Sequence, residues 1–288
     1  MFKKIKGKCK NLLILGRYNN PAGAFLLMWP CYWGALANIR ELENIFLYLL
    51  YFSFGAFVMR GAGCCINDIL DRNFDKEVDR TRNRPLVTGV INIKEAVFFI
   101  FFQLIIGLLI VLQFETRVIV VSFLIIPFIF AYPLFKRISF FPQLILGLVF
   151  NWGIIIGYLY QNSGFNFNIF YLYLAGVFLT TAYDTIYGFQ DIKDDKKLGL
   201  KSLALLLEKK PSYYILLIYL LSFLFFLIFF VISYSNIFVS LICSIIVLTS
   251  FLLQYYAFIK GFSLIKIFKS NTILGGLISL LIVLQNYL

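Results

Sequence analysis

Apolar stretches of roughly 20 residues recur along this chain, and about 20 is the length a helix needs to cross the hydrocarbon core of a bilayer. Nine are readable, at about 22–39, 45–66, 95–114, 117–135, 142–161, 168–190, 212–233, 236–258 and 271–287. Lipid offers no hydrogen bonds, so each backbone polar group must be satisfied within its own helix or a closed barrel. Segments of this length are helices, and the expected fold is all-α, a multi-pass transmembrane bundle of about nine helices. With 61% hydrophobic residues, the 288-residue chain is far too apolar for two soluble domains.

There is no histidine, which excludes Ser-His-Asp and Cys-His nucleophiles and histidine metal sites. The five cysteines show no C-x-x-C spacing and read as reduced, small apolar fillers. The net charge of +12 has a topological explanation. With the N-terminus in the cytoplasm, 23 of the 26 Lys and Arg fall in cytoplasmic segments. Only Arg40 and Arg117 face the other side, and Arg60 lies inside the second span. No nucleic-acid partner is needed to account for the charge. The N-terminal Lys3, Lys4, Lys6, Lys8 and Lys10 suit anionic headgroups of the lipid bilayer. A bacterial plasma (inner) membrane fits this pattern.

Six of the 14 acidic residues sit in two short clusters, each at the end of an apolar run. The first is Asn67-Asp68-Ile69-Leu70-Asp71-Arg72-Asn73-Phe74-Asp75, and the second is Asp191-Ile192-Lys193-Asp194-Asp195. If the second span continues as a helix, Asp68, Asp71, Asp75 and Asp79 share one face. Asp184, Tyr187, Asp191 and Asp195 share another. Unpaired like charges at such spacing repel. Mg²⁺ takes oxygen ligands and commonly sits between carboxylates and a substrate phosphate, so the clusters point to a lipid-linked diphosphate. Asp184 and Arg60 lie at membrane depth, where ionisable groups mark function. Lys136, Arg137, Lys201 and the arginines at 80, 82 and 84 are candidates to complete a phosphate cradle.

At these residues the chain resembles the UbiA family of intramembrane prenyltransferases, and most resembles its 4-hydroxybenzoate polyprenyltransferase branch. The segments are 17–30, 59–68 continuing through 84–86, 132–137, and 183–191 continuing through 199–202. The resemblance implies a single domain over 1–288, built around a central cavity. The equivalent places of the clusters, after spans two and six, suggest two similar halves, about 22–135 and 142–258, plus a ninth helix at 271–287. The resemblance further implies transfer of a polyprenyl group from polyprenyl diphosphate to the 3-position of 4-hydroxybenzoate, as in ubiquinone biosynthesis, with Mg²⁺ as cofactor. Metal ligands are then Asp68, Asp71, Asp75, Asp191, Asp194 and Asp195. Asp191, Arg60 and Asp184 are the catalytic candidates, with Asp191 as base. Arg17, Asn67, Lys136, Arg137, Arg82, Tyr187 and Lys201 would bind substrate. Asn19-Asn20 and Ile192-Lys193 depart from the family's usual charged pairs. Two alternatives stand beside this reading: a sibling enzyme with another aromatic acceptor, and a membrane transporter or ion-binding protein.

Overall fold

The structure, a computed structural model, describes residues 2–37, 39, 45–161 and 166–288, without the side chains of 2–6 and 161. Arg40 and the side chains of Lys3, Lys4 and Lys6 therefore lie outside the described residues. Those residues form helices and turns, with no strand. A first helix, α1 (Phe2–Leu15), precedes α2 (Ala22–Leu36) and α3 (Ile45–Leu70). A short α4 (Arg72–Asp75) follows, then α5 (Ile93–Val111), α6 (Thr116–Leu124), α7 (Ile126–Ile138), α8 (Pro142–Gln161) and α9 (Asn168–Gly188). The chain continues through two short helices, α10 (Ile192–Leu198) and α11 (Leu203–Leu206), to α12 (Pro211–Ser233), α13 (Ile237–Ile259) and α14 (Leu264–Tyr287).

Among the described residues, eight spans are long and apolar enough to cross a membrane, counting α6 and α7 as one. The expected count of nine is not reached, because α2 is only 15 residues long. The α6–α7 span is interrupted where Pro127 has no N–H to donate. The last helix begins at Leu264 rather than 271, since Lys266 and Lys269 in its first turns mask it from a hydropathy reading. Local chemistry sets other boundaries. Asn92 and Glu95 form a capping box that starts α5: Glu95 N–H donates to Asn92 Oδ1 at 2.9 Å and Asn92 N–H donates to Glu95 Oε2 at 3.0 Å.

The interior gathers around α9, which packs on α8 and α12 and is buried along Leu172, Ala175, Leu179, Ala182 and Ile186. Lipid is as apolar as the helix faces, so tight association relies on small residues and interhelical hydrogen bonds. Both occur here. A Cβ on Gly34 of α2 would stand 2.0 Å from the Ile154 carbonyl oxygen of α8, and one on Gly157 would stand 2.1 Å from the Cys31 carbonyl oxygen. Asn151 Nδ2 donates to Thr180 Oγ1 at 2.8 Å, joining α8 to α9, and Ser222 Oγ donates to the Ala175 carbonyl at 2.8 Å, joining α12 to α9. The indoles of Trp29 and Trp33 donate to carbonyls of Thr272 and Gly275 at 2.8 and 2.9 Å, tying α2 to α14. By contrast, α5 exposes Phe98, Phe101, Phe102 and Leu109, the face a bilayer would cover.

A smaller cluster at the motif-bearing end, formed by Leu15, Cys65, Leu86, Ile91, Ala96 and Ile100, pins the 76–92 segment against α1, α3 and α5. That anchoring sets where the arginines of this segment reach.

Candidate functional site

A cavity of about 500 Å³ opens at the end of the bundle where both acidic clusters emerge. Four carboxylates line it: Asp68, Asp184, Asp191 and Asp195. Five cations line it as well: Arg17, Arg60, Arg80, Arg84 and Lys136. The two clusters, more than a hundred residues apart in the chain, thus meet at one site.

Helix α3 carries Asn67 and Asp68 to the cavity and then ends at Leu70. Asp71 takes a non-helical φ/ψ of −93°/4°, so the expected four-carboxylate face does not form. Asp79 points away and pairs with Arg82 at 3.1 Å; both are largely exposed. Asp71 and Asp75 do not line the cavity. Asp68 is 1% exposed and receives Arg17 Nη2 on both oxygens at 2.8 Å. Arg84 Nη1 bridges Asp68 Oδ1 at 2.9 Å and Asp75 Oδ2 at 2.5 Å. Arg17 has φ 60°, a left-handed conformation at the end of α1, where its guanidinium also donates to the carbonyls of Ile14 and Leu15 at 3.1 and 3.3 Å. For a non-glycine residue this conformation costs about 1–2 kcal/mol, and the two-oxygen grip on Asp68 offsets it.

The second cluster behaves differently. Helix α9 ends at Gly188 and α10 starts at Ile192, yet Asp184, Tyr187, Asp191 and Asp195 all still line the cavity. Asp194 does not. Arg80 reaches across from the 76–92 segment and clasps Asp191, Nε to Oδ1 at 3.0 Å and Nη2 to Oδ2 at 2.7 Å. Its Nη1 donates to the Tyr187 hydroxyl at 3.4 Å. The Asp191 hydrogen bond and charge outweigh burial and raise the Arg80 guanidinium above its ordinary pKa. Burial pushes the Asp71 and Asp195 carboxyls up, opposed at Asp71 by Lys136 and at Asp195 by a Ser202 hydrogen bond and Lys136. Lys136 therefore stands in the field of both clusters. A hydrogen bond from Lys201 N–H to the Lys136 carbonyl at 2.8 Å ties the segment after α10 to the end of α7.

Three expected substrate ligands lie elsewhere. Lys201 Nζ donates to the Ile138 carbonyl at 3.2 Å and sits over Phe140, capping the C-terminus of α7. Arg137 Nη2 donates to the Leu70 carbonyl at 3.3 Å and covers Phe74, capping α3. Arg82 is held by Asp79. These basic groups satisfy orphan carbonyls at helix ends or pair locally, the ordinary fate of cations near a helix C-terminus. Tyr18, Tyr132 and Ser202 also line the cavity; they lie inside the segments 17–30, 132–137 and 199–202 that carry the resemblance, but an uncharged side chain gives no charge signal to single it out as a site residue. Arg60 packs its guanidinium 5.5 Å from the Phe150 ring centroid, and its Nε has no hydrogen-bond partner.

Among the described residues no three acidic or cysteine side chains converge tightly enough to cage a metal ion. Mg²⁺ does not need such a cage, because it usually takes one or two carboxylates and fills its octahedron with phosphate oxygens and water. Asp191 and Asp195, with Asp68 on another helix, fit a cation shared with a phosphate ligand.

These features define a multi-pass helical membrane protein whose cavity joins two carboxylate clusters to a set of cations. The chain belongs to the UbiA prenyltransferase family, matched over residues 27–263. It is 43% identical over 192 residues to 4-hydroxybenzoate geranyltransferase 1 of Lithospermum erythrorhizon, covering 66% of this chain and 62% of that protein. The match thus spans less than two thirds of that relative's length. It is 37% identical over 217 residues to the 4-hydroxybenzoate octaprenyltransferase of Psychromonas ingrahamii, covering 75% of each. The fold is shared with a UbiA homolog from Archaeoglobus fulgidus bound to GPP and Mg²⁺, at TM-score 0.71 and 18% identity over 96% of this chain and 98% of that one.

Proposed function

We propose that this chain transfers a polyprenyl group from polyprenyl diphosphate to the 3-position of 4-hydroxybenzoate, releasing diphosphate, as a step toward ubiquinone. The reaction would depend on Mg²⁺ and run at the cytoplasmic side of a bacterial inner membrane. The observation that carries this reading is the convergence of both acidic clusters and five cations on one cavity. The names of the two relatives point to the acceptor, and the bound ligands of the Archaeoglobus homolog to the donor and metal.

In this reading Asp68, Asp191 and Asp195 hold Mg²⁺, with Asp71, Asp75 and Asp194 supporting them from behind the cavity wall. Bound Mg²⁺ supplies positive charge against the diphosphate oxygens, where negative charge grows as the C1–O bond breaks. Lys136, Arg80 and Arg84 add cationic donors to the same oxygens. Arg80 and Arg84 then exchange part of their hold on Asp191, Asp68 and Asp75 for phosphate. Arg60, with its unpartnered Nε beside Phe150, receives the carboxylate of the acceptor. Tyr132, Tyr187 and Phe150 line the cavity and shield the allylic cation from water. The equivalent positions of the clusters, after α3 and after α9, support a repeat of two similar halves, α2 to α7 and α8 to α13, followed by α14.

The test is transfer of a labelled polyprenyl group by membranes containing the protein, with and without EDTA. A 3-prenylated 4-hydroxybenzoate that vanishes with EDTA supports the reading. Transfer only to a dihydroxynaphthoate or to homogentisate overturns the acceptor. Diphosphate binding without transfer favours the ion-binding or transport alternative.

A further inference from the structure

Of the four carboxylates lining the cavity, two are clasped by arginine: Arg17 and Arg84 hold Asp68, and Arg80 takes both oxygens of Asp191. Asp195 stands beside the Ser202 hydroxyl, which favours its charged form. Asp184 has no hydrogen bond or ion pair among the described residues; only the more distant charges of Lys136, Arg60 and Asp191 act on it. It also lies inside a membrane span. Asp184 sits one turn before α9 ends at Gly188, Arg60 lies within α3, and both side chains line the one cavity. A free carboxylate at membrane depth is costly and is retained where it has chemistry to do.

We infer that Asp184, and not Asp191, is the group that accepts the phenolic proton of the acceptor during prenyl transfer. This rests on the proposed reaction. Asp191 is a poor base because its oxygens are committed, to Arg80 in this structure and to Mg²⁺ in the proposed reaction, whereas Asp184 presents open lone pairs where an acceptor held by Arg60 would lie. The phenol O–H proton passes to Asp184 as the ring carbon ortho to the oxygen bonds to C1 of the prenyl chain. The C1–O bond to diphosphate breaks at the same stage, and diphosphate leaves with the electron pair. The ring C–H proton is then lost to diphosphate, Asp184 returns its proton to the ring oxygen, and aromaticity is restored. Atoms and charge balance with no further reactant. The charged and titratable groups around Asp184 are Arg60 from α3, Lys136 and Tyr132 from α7, and Tyr183, Tyr187 and Asp191 from its own helix and the turn beyond.

The experiment compares wild type with Asp184→Asn and Asp184→Glu in detergent or nanodiscs. Binding of Mg²⁺ and of a non-hydrolysable prenyl diphosphate analogue is measured beside turnover of 4-hydroxybenzoates carrying ring fluorines, which acidify the phenol. Wild-type transfer to 4-hydroxybenzoate is the entry control, and its absence refutes the proposed reaction itself. Given that control, Asp184→Asn should bind metal and analogue within about twofold of wild type and lose at least about 100-fold in kcat, the scale of general-base catalysis. The loss should shrink as the phenol becomes more acidic, and Asp184→Glu should recover part of the rate. A loss equal for all phenols, or accompanied by equal loss of analogue binding, makes Asp184 a structural counter-charge and overturns the assignment. So does a near-normal kcat in Asp184→Asn.

Discussion

Asp68 and Asp191 are both clasped by arginine, yet their removal should differ in cost. Asp68 has a side chain 2% exposed and two guanidinium partners, with side chains 29% and 19% exposed. Converting it to Asn leaves Arg17 and Arg84 with half their anchorage in a closed environment, and breaking such a buried pair costs about 3–5 kcal/mol. Arg84 keeps Asp75 at 2.5 Å, which places the expected loss at the lower end, about 3 kcal/mol. The Arg80–Asp191 pair is wetter, with side chains 40% and 24% exposed, so solvent screening reduces its worth to about 1 kcal/mol or less. The gap of about 2 kcal/mol is roughly a 30-fold difference in folded-to-unfolded ratio. Thermal unfolding of Asp68→Asn and Asp191→Asn in one detergent, without Mg²⁺, reads it directly, with prenyl transfer measured alongside. Both variants should lose transfer, but only Asp68→Asn should unfold markedly earlier. Equal destabilisation, or a greater loss for Asp191→Asn, would refute the assignment of Asp68 as the structurally anchored carboxylate.

Other outcomes are equally specific. Gly34→Ala or Gly157→Ala forces a Cβ into backbone 2.0 or 2.1 Å away, so α2 and α8 must part; a loss of about 1–3 kcal/mol in unfolding experiments is expected. Arg82→Gln should leave transfer and Mg²⁺ affinity within about twofold of wild type, because Arg82 serves Asp79 and not the cavity; the 0.2–1 kcal/mol typical of an exposed pair is all it should lose in stability. Burial raises the Asp71 and Asp195 carboxyls above their ordinary range, so the folded, metal-free protein holds protons that the unfolded chain has already released. Their contribution to stability is present at acid pH and falls as pH rises through the native values. Mg²⁺ must displace those protons, so its affinity, read by calorimetry in two buffers of different ionisation enthalpy, should rise with pH and show proton release.

The apolar runs made the bundle legible, because a hydrocarbon solvent leaves a helix little choice. Their ends were less so. Lys266 and Lys269 hid the start of α14, and α2 closes at Leu36 short of the 39 expected. At the site, the second cluster kept its face across the break at Gly188, whereas the first lost its face at Asp71. Nothing in the spacing distinguishes these two turns. The three arginines at 80, 82 and 84 look alike in sequence. The segment around them is helically wound, with Arg82 N–H bonded to the Val78 carbonyl and Arg84 N–H to the Thr81 carbonyl, so residues four apart share a side. Arg80 and Arg84 turn inward to Asp191, Asp68 and Asp75, and Arg82 outward to Asp79, in a segment whose place is set by the Leu86 and Ile91 anchors. Lys201 and Arg137 misled for a related reason. A cation next to a motif also lies next to a helix C-terminus, and in both cases the free carbonyls claimed it.

The central claim is that both acidic clusters serve one Mg²⁺–diphosphate site. The most direct measurement is calorimetric binding of a non-hydrolysable prenyl diphosphate analogue to wild type, Asp68→Asn, Asp195→Asn and the double variant, with and without Mg²⁺. A shared site predicts that either single change removes most of the Mg²⁺-dependent affinity and that the double change removes little more. Additive losses, or affinity for the analogue that ignores Mg²⁺, would contradict it.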